Sequence, residues 1–277
     1  MLRAKLPDMR SFTTKPISSI LGPLVKALHY HEVDLPFGLE RIMPNGQAHL
    51  MVNLAEDEFR TYGRARLDEI SKHSGAIVAG PHARSVVIDT RAQCRLAAVE
   101  FRNGGASRFF EMPMTDISDQ VVEIQDLWRR DGALLRERLL DAPSPYAKLC
   151  VLEKALVEHL RLRFDPAIPY AMTALRGGAP VSAIAIGLGL SPRTLERRFR
   201  FQVGITPKRF ARVARLQRVL RAARRSARPD WSRLAAEHGF TDQAHLIHDF
   251  RDLADIKPSE YKPHSRKRNN HVPILGG

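Results

Sequence analysis

Cysteine is almost missing from this chain: two in 277 residues, Cys94 and Cys150, with no CxxC spacing. Neither a disulfide framework nor a cysteine-built zinc site can be made from them. Long hydrophobic runs are missing as well. The longest apolar stretch, Val181 to Leu190, falls far short of the roughly 20 residues of a membrane span, and the polar start Met1-Leu-Arg-Ala-Lys-Leu-Pro-Asp8 has no signal-peptide core. A soluble, cytoplasmic protein with no membrane partner is the expectation. Phosphate-binding glycine loops and nucleophile elbows are absent, so no catalytic residue, cofactor or metal is assigned and no enzyme is expected.

Acidic residues are scarce in one part only. Residues 1–170 hold 23 Lys and Arg against 22 Asp and Glu, a net +1, whereas residues 171–277 hold 21 against 8, a net +13. A strongly basic segment beside a neutral one points to a polyanion-binding module attached to a domain with another task. Nucleic acid fits that module better than an anionic membrane does, because its basic residues do not gather on one face opposite Trp, Phe and Leu.

The length suits two domains of roughly 100–150 residues each. Up to about residue 115 the chain reads as mainly β. His49-Leu-Met-Val-Asn-Leu54, Ala76-Ile-Val-Ala79, Ser85-Val-Val-Ile-Asp89 and Leu96-Ala-Ala-Val-Glu-Phe101 are short and β-branched or alternating, and turn signals at Pro44-Asn-Gly46, Gly80-Pro81 and Asn103-Gly-Gly105 separate them. Such spacing suggests a small barrel or sandwich. Apolar residues then fall at helical spacing from Asp116 to Leu140, read as two helices broken near Asp131-Gly132. Tyr146 to Phe164 reads as an amphipathic helix carrying Leu149, Leu152, Leu156 and Leu160, which packs on the barrel or forms a dimer seam. The resulting division is a β-rich sensor or dimerisation domain at 1–140, a linker helix at 141–165, an all-helical domain at 166–264 and a disordered basic tail at 265–277.

Within the helical domain the sequence repeats. Val181-Ser-Ala-Ile-Ala185 compares with Trp231-Ser-Arg-Leu-Ala235, and Gly189-Leu190 with Gly239-Phe240, at an offset of 50. After one extra residue the offset becomes 51, where Leu195 matches Leu246, Phe199 matches Phe250, Arg200 matches Arg251, Ile205 matches Ile256, Pro207 matches Pro258 and Phe210 matches Tyr261. Each copy has the form of a helix-turn-helix: a short apolar helix, a glycine-containing turn and a capped second helix. Ser191, followed by Pro192, caps the first copy, and Thr241-Asp242 caps the second. Leu195 and Phe199 should face inward, leaving Arg193, Thr194, Glu196, Arg197, Arg198 and Arg200 outward. In the second copy Leu246 and Phe250 should face inward, leaving Gln243, His245, His248 and Asp249 outward.

These outward residues suit the major groove of duplex DNA, where Arg can bind guanine O6 and N7 with two bonds and Gln can do the same at adenine N6 and N7. Between the copies, Thr206-Pro207 opens an arginine-rich helix of nineteen residues, about 28 Å long at 1.5 Å per residue. That length is close to the roughly 34 Å between successive major-groove segments on one side of DNA. Lys208, Arg209, Arg212, Arg215 and Arg218 are the expected phosphate contacts of this helix.

Residues 166–264 resemble the DNA-binding domain of the AraC/XylS family of transcriptional regulators. The resemblance rests on Leu190-Ser-Pro-Arg-Thr-Leu-Glu-Arg-Arg-Phe-Arg200, Gly204-Ile-Thr-Pro-Lys-Arg-Phe210, Ala235-Ala-Glu-His-Gly-Phe-Thr-Asp-Gln-Ala-His-Leu-Ile-His-Asp-Phe-Arg251 and Lys257-Pro-Ser-Glu-Tyr261. It implies a seven-helix domain that binds promoter DNA through two helix-turn-helix units, with base contacts from Arg193, Glu196, Arg197, Gln243, His245 and His248. Backbone contacts fall to Thr194, Arg200, Lys208, Arg212 and Arg251, and the helix caps to Ser191 and Asp242. Glu196 departs from the amide or basic residue common there; it either reads cytosine N4 or pairs with Arg193 or Arg200, and pairing is the favoured reading.

The same resemblance implies a cupin-like β-barrel at the amino-terminal end, so the fold class is α+β. Leu35-Pro-Phe-Gly-Leu-Glu-Arg-Ile-Met-Pro-Asn-Gly46 and Phe101-Arg-Asn-Gly-Gly-Ala106 are similar to the sensor domains of bacterial members. Its partners would then be double-stranded DNA, RNA polymerase, a small-molecule effector and a second copy of the chain. The alternative is a metal-dependent or cysteine-dependent cupin-like enzyme using His29, His31, Glu32 and His49, or Cys94. Unrelated polar histidines and a core cysteine are the simpler account of those residues.

Overall fold

The computed structural model describes residues 10–33, 38–64, 66–161, 165–226, 228–265 and 268–274. Leu35 to Phe37, the expected helix end at Phe164, and Arg266, Lys267, Gly276 and Gly277 of the tail lie outside them. The fold is α+β, with antiparallel sheets first and helices after. Ten strands come from the amino-terminal part: β1 (Arg10–Thr14), β2 (Val25–Glu32), β3 (Leu39–Ile42), β4 (His49–Asn53), β5 (Glu58–Tyr62), β6 (Ile70–Ser74), β7 (Ala76–Ala79), β8 (Val86–Asp89), β9 (Arg95–Phe101) and β10 (Val121–Glu123). One sheet has the order β1-β2-β9-β4-β7-β10. The other runs β3-β8-β5-β6, with an eleventh strand on its β3 edge.

Alternation along the strands gives the six-stranded sheet two different faces. Pairing sets Leu28, Val99, Leu50 and Val78 in one row, all fully buried. Three helices cover that face: α1 (Ile124–Trp128), α2 (Arg130–Asp141) and α3 (Pro145–Glu158). Leu135, Leu139, Leu149, Leu152 and Leu156 pack into the same core. The leucine row of α3 therefore packs on the sheet. The opposite face carries His29, His31, His49 and Glu100. Burial would raise the Glu100 carboxyl, but hydrogen bonds with His29 and Lys26 outweigh it and hold it at about 2. His31 and His49 are pushed down to about 4, chiefly by burial.

Three local expectations are corrected. The stretch read as helical from Asp116 begins its helix only at Ile124, because Val121–Glu123 pair with β7 as β10. The helical break falls at Arg129, whose φ is +53°, and Asp131-Gly132 lies inside α2. Gly132 belongs there because a Cβ would sit 2.4 Å from the Ile124 carbonyl oxygen: the glycine marks close helix packing rather than a stop. The tail is not without structure either. His271–Ile274 forms β11, antiparallel to β3, with Val272 buried. Charge around Arg268 suggested disorder, but His271–Ile274 pair with the β3 edge of the second sheet. Pro273 is tolerated because it sits on an edge strand.

The histidine-bearing face makes stability depend on pH. An unfolded chain takes up protons on these imidazoles as pH falls below about 6.5, whereas His31 and His49 in the folded protein do so only near pH 4. Stability is thus unaffected by them above pH 6.5 and declines as pH drops below it. The urea midpoint should fall between pH 6.5 and pH 5, and a His31→Gln, His49→Gln variant should lose much of that slope. An identical slope in the variant would contradict this account.

Candidate nucleic-acid interface

Six helices follow the sheets: α4 (Ala167–Arg176), α5 (Val181–Gly187), α6 (Pro192–Val203), α7 (Pro207–Ala223), α8 (Trp231–Glu237) and α9 (Gln243–Ala254). A 3-10 turn at Pro258–Glu260 follows them. The repeat is realised residue for residue: α8 is α5 displaced by 50 positions, and α9 is α6 displaced by 51. Ile184 and Leu234, Ala185 and Ala235, Leu195 and Leu246, and Phe199 and Phe250 are all buried in one core. Each turn reverses through a left-handed glycine, Gly189 at φ +64° and Gly239 at φ +77°. The reversal lets Leu190 N–H donate to the Ala185 carbonyl at 2.9 Å and Phe240 N–H to the Ala235 carbonyl at 3.0 Å. Only glycine takes that conformation without strain.

Side-chain caps begin both second helices. Ser191 Oγ accepts from Thr194 N–H at 3.1 Å, and Asp242 Oδ1 accepts from His245 N–H at 2.7 Å. Thr206 caps α7 in the same way. The far ends of α6 and α9 close on left-handed residues at equivalent positions, Gly204 and Asp255, and both dock on the sheet domain. A Cβ at Gly204 would lie 2.8 Å from the Met114 carbonyl oxygen and 2.9 Å from Pro81. Asp255 takes the strained conformation with a side chain, and its Oδ2 accepts from Ser85 Oγ at 2.8 Å and from Arg64 at 3.3 Å. Ser85 N–H also donates to the Leu253 carbonyl at 2.8 Å. Each second helix is therefore held at its carboxyl end against the sheet domain, and its amino end is left outside.

On α6, Arg193, Glu196, Arg197, Arg198 and Arg200 are exposed and Thr194 is half-buried. Arg198 reaches Asp165 at 3.5 Å. The favoured pairing of Glu196 is not found: among the described residues it forms no ion pair. On α9, Gln243, His248 and Arg251 are exposed. His245 is not free: its Nε2 accepts from Arg215 at 3.0 Å, and Nδ1 lies 3.3 Å from Thr241 Oγ1. The outward placement of Asp249 is overturned, since only 1% of it is exposed.

Four of the five basic residues expected on phosphates have partners within the protein. Arg212 donates to Asp249 Oδ1 at 2.7 Å and meets Asp252 at 2.7 Å, while Arg215 donates to Asp249 Oδ2 at 2.9 Å and covers the Phe240 ring at 4.3 Å. Arg209 points to the Ala83 carbonyl of the sheet domain, and Arg218 donates to the Arg176 carbonyl at 2.6 Å. Of the five, Lys208 alone is exposed. Arginine periodicity on a helix looks the same whether it serves phosphate or a buried carboxylate. The signal missed was Asp249, an acid on the inward side of a helix facing an arginine row.

Residues 184–264 match a family model described as a helix-turn-helix domain. The carboxyl-terminal part of the chain is an AraC-type helix-turn-helix domain. Residues 14–123, ahead of this AraC-type domain, match a model described as a domain of unknown function, DUF6597. No curated protein sequence matches the chain. Among solved structures it is similar to the C-terminal domain of AraT, a response regulator from Geobacillus stearothermophilus, at 18% identity over 38% of this chain and 88% of that one, with a TM-score of 0.33. It is also similar to ToxT from Vibrio cholerae, at 9% identity over 93% and 98% of the two chains and a TM-score of 0.46. ToxT with bound unsaturated fatty acid gives 9% identity over 94% and 96%, with a TM-score of 0.43.

Among the described residues, no group of three or more His, Cys, Asp and Glu side chains could hold a metal ion. Cys94 and Cys150 are free thiols, each half-buried. No described helix is long and apolar enough to cross a membrane. The buried carboxylate of the AraC-type domain gives a direct test of its architecture. Asp249→Ala leaves Arg215 without its carboxylate and Arg212 with Asp252 alone, and should cost about 3 kcal/mol of stability in denaturant titration. A loss under about 1 kcal/mol, the range of an exposed ion pair, would contradict the clamp.

Proposed function

We propose that this chain is a transcriptional regulator that reads adjacent major-groove segments of promoter DNA with the amino ends of α6 and α9. The observation that carries the reading is the shared posture of the two helices. Equivalent carboxyl ends dock on the sheet domain, and equivalent amino ends present polar side chains to solvent. Arg193, Glu196 and Arg197 on α6, with Gln243 and His248 on α9, are the base-reading set; Arg197 and His248 occupy matching positions of the two units. His245 contributes by fixing the start of α9 through Arg215 and Thr241, and approaches a base only if Arg215 releases it. Thr194, Arg200, Lys208 and Arg251 face the phosphates, whereas Arg212 belongs to the domain core.

Binding strength in this arrangement comes chiefly from phosphate neutralisation and selectivity from the base-reading set. Bound at a promoter, the protein would recruit or block RNA polymerase. Control by a small molecule at the amino-terminal domain is supported by an open cleft of about 800 Å3 walled mainly by that domain, and a second of about 340 Å3 lies at its border with the helices, both of the size that small molecules occupy. A second copy of the chain would have to join through a surface other than the buried leucine row of α3. No catalytic step is proposed.

Two substitutions separate reading from anchoring. With a duplex selected from a random library, Arg197→Ala should weaken binding by about 1–3 kcal/mol and relax base choice at one position. Lys208→Ala should weaken all sequences alike and lower the salt slope by about 1. If Arg197→Ala behaves as Lys208→Ala does, α6 is an electrostatic anchor and the reading fails.

A further inference from the structure

The 340 Å3 cleft lies where the sheet domain meets the AraC-type domain, and both domains and the segment before β11 wall it. Lys26 and Glu100 come from β2 and β9, Arg176, Arg218 and Arg221 from α4 and α7, and Asn270 from the segment leading into β11. That segment is strapped to both domains. Asn270 accepts from the Met43 backbone N–H at 2.8 Å through its carbonyl oxygen and from Gln217 at 3.0 Å through its side chain. The cleft therefore exists only while the two domains and the strap are together.

Its charge is unbalanced. Lys26 and Glu100 offset each other's charge at 2.7 Å, and the half-exposed ammonium keeps N–H donors for a further oxygen. Arg176, Arg218 and Arg221 have no carboxylate: among the described residues none of the three forms an ion pair. Arg176 donates to Asn103 Oδ1 and stacks on the Phe210 ring at 5.2 Å, and Arg218 donates to the Arg176 carbonyl. These contacts use a minority of the five N–H donors on each guanidinium. Burial first, and then repulsion from neighbouring arginines, lowers the pKa of all three. The rest of the lining is mostly amide, including Asn45, Gln47 and Gln217, which suits hydroxyl or carboxylate oxygens and not an acyl chain. Guanidinium groups bind carboxylate and phosphate oxygens in pairs, with both geometry and charge matched.

We propose that this cleft is an anion site taking one small polar molecule with two or more carboxylate or phosphate groups, whose occupancy ties the sheet domain to the AraC-type domain. It rests on the regulatory reading above for its role as an effector site, and on the cleft alone for its existence. Calorimetric titration of the full chain with citrate, pyrophosphate and acetate, at constant ionic strength, tests it. Citrate or pyrophosphate should bind with one equivalent, and whichever binds tells a carboxylate site from a phosphate one; acetate should not saturate.

Lys26→Gln on one domain and Arg221→Gln on the other are both surface changes, and circular dichroism checks that each variant folds. Each should weaken binding about tenfold, while Arg193→Gln with Arg197→Gln should leave it unchanged. Binding in the two cleft variants as tight as in the unsubstituted protein, loss of binding in the α6 variant, or titrations of citrate and pyrophosphate no different from acetate would overturn the proposal. Gel shifts of the same proteins without added anion report DNA binding separately, so the regulatory reading stands or falls by a different readout.

Discussion

Asp249, almost wholly out of water between Arg212 and Arg215, ties α9 to α7, and through α7 to the first helix-turn-helix unit. A buried carboxylate without partners would be costly; two arginines and the Phe240 ring that Arg215 covers make the arrangement tolerable and directional. Arg215 also reaches the Gly239 carbonyl and His245, so the turn of the second unit and the start of α9 hang from the same guanidinium. The angle between the two recognition helices is set here. Seventeen residues of α7 span about 25 Å, and the clamp fixes what is mounted at the far end.

The sheet domain completes the constraint. Gly204 and Asp255 are the same position in the two units, yet they dock by opposite means: one by having no Cβ to obstruct the Met114 carbonyl, the other by bearing a carboxylate for Ser85, Arg64 and Arg41. A strained backbone at Asp255 persists because three partners hold its side chain. The β11 strap closes the arrangement from the other side, where His271 meets the buried Glu40 at 2.7 Å. Any change of pose between the domains must break polar contacts on both sides.

How much of this the sequence disclosed follows from how far each signal reaches. The repeat, its offsets, the turns and all three caps were legible because each depends on residues within a few positions: Ser191, Gly189, Asp242, Gly239 and Thr206. Strands β4, β7, β8 and β9 were legible from alternation, whereas β1, β5 and β6, whose polar residues break the alternation, were not. The fate of the α7 arginines could not be read, since Arg212 and Lys208 look alike until the partner helix shows which one meets a carboxylate. Nor could β11, whose pairing partner β3 lies more than 200 residues away in sequence. Local chemistry was readable, and long-range partnering was not.

The central claim is that two recognition helices, fixed in one relative pose, read two DNA elements at a set spacing. Selection of duplexes from a random library near physiological salt, followed by binding to versions of the winner with a few base pairs inserted between its two halves, tests it most directly. The account predicts an asymmetric bipartite site with half-elements about one helical turn apart, and loss of nearly all selectivity when the spacing changes by about 5 base pairs. A selected site with a single element, or one whose halves tolerate any spacing, would contradict it.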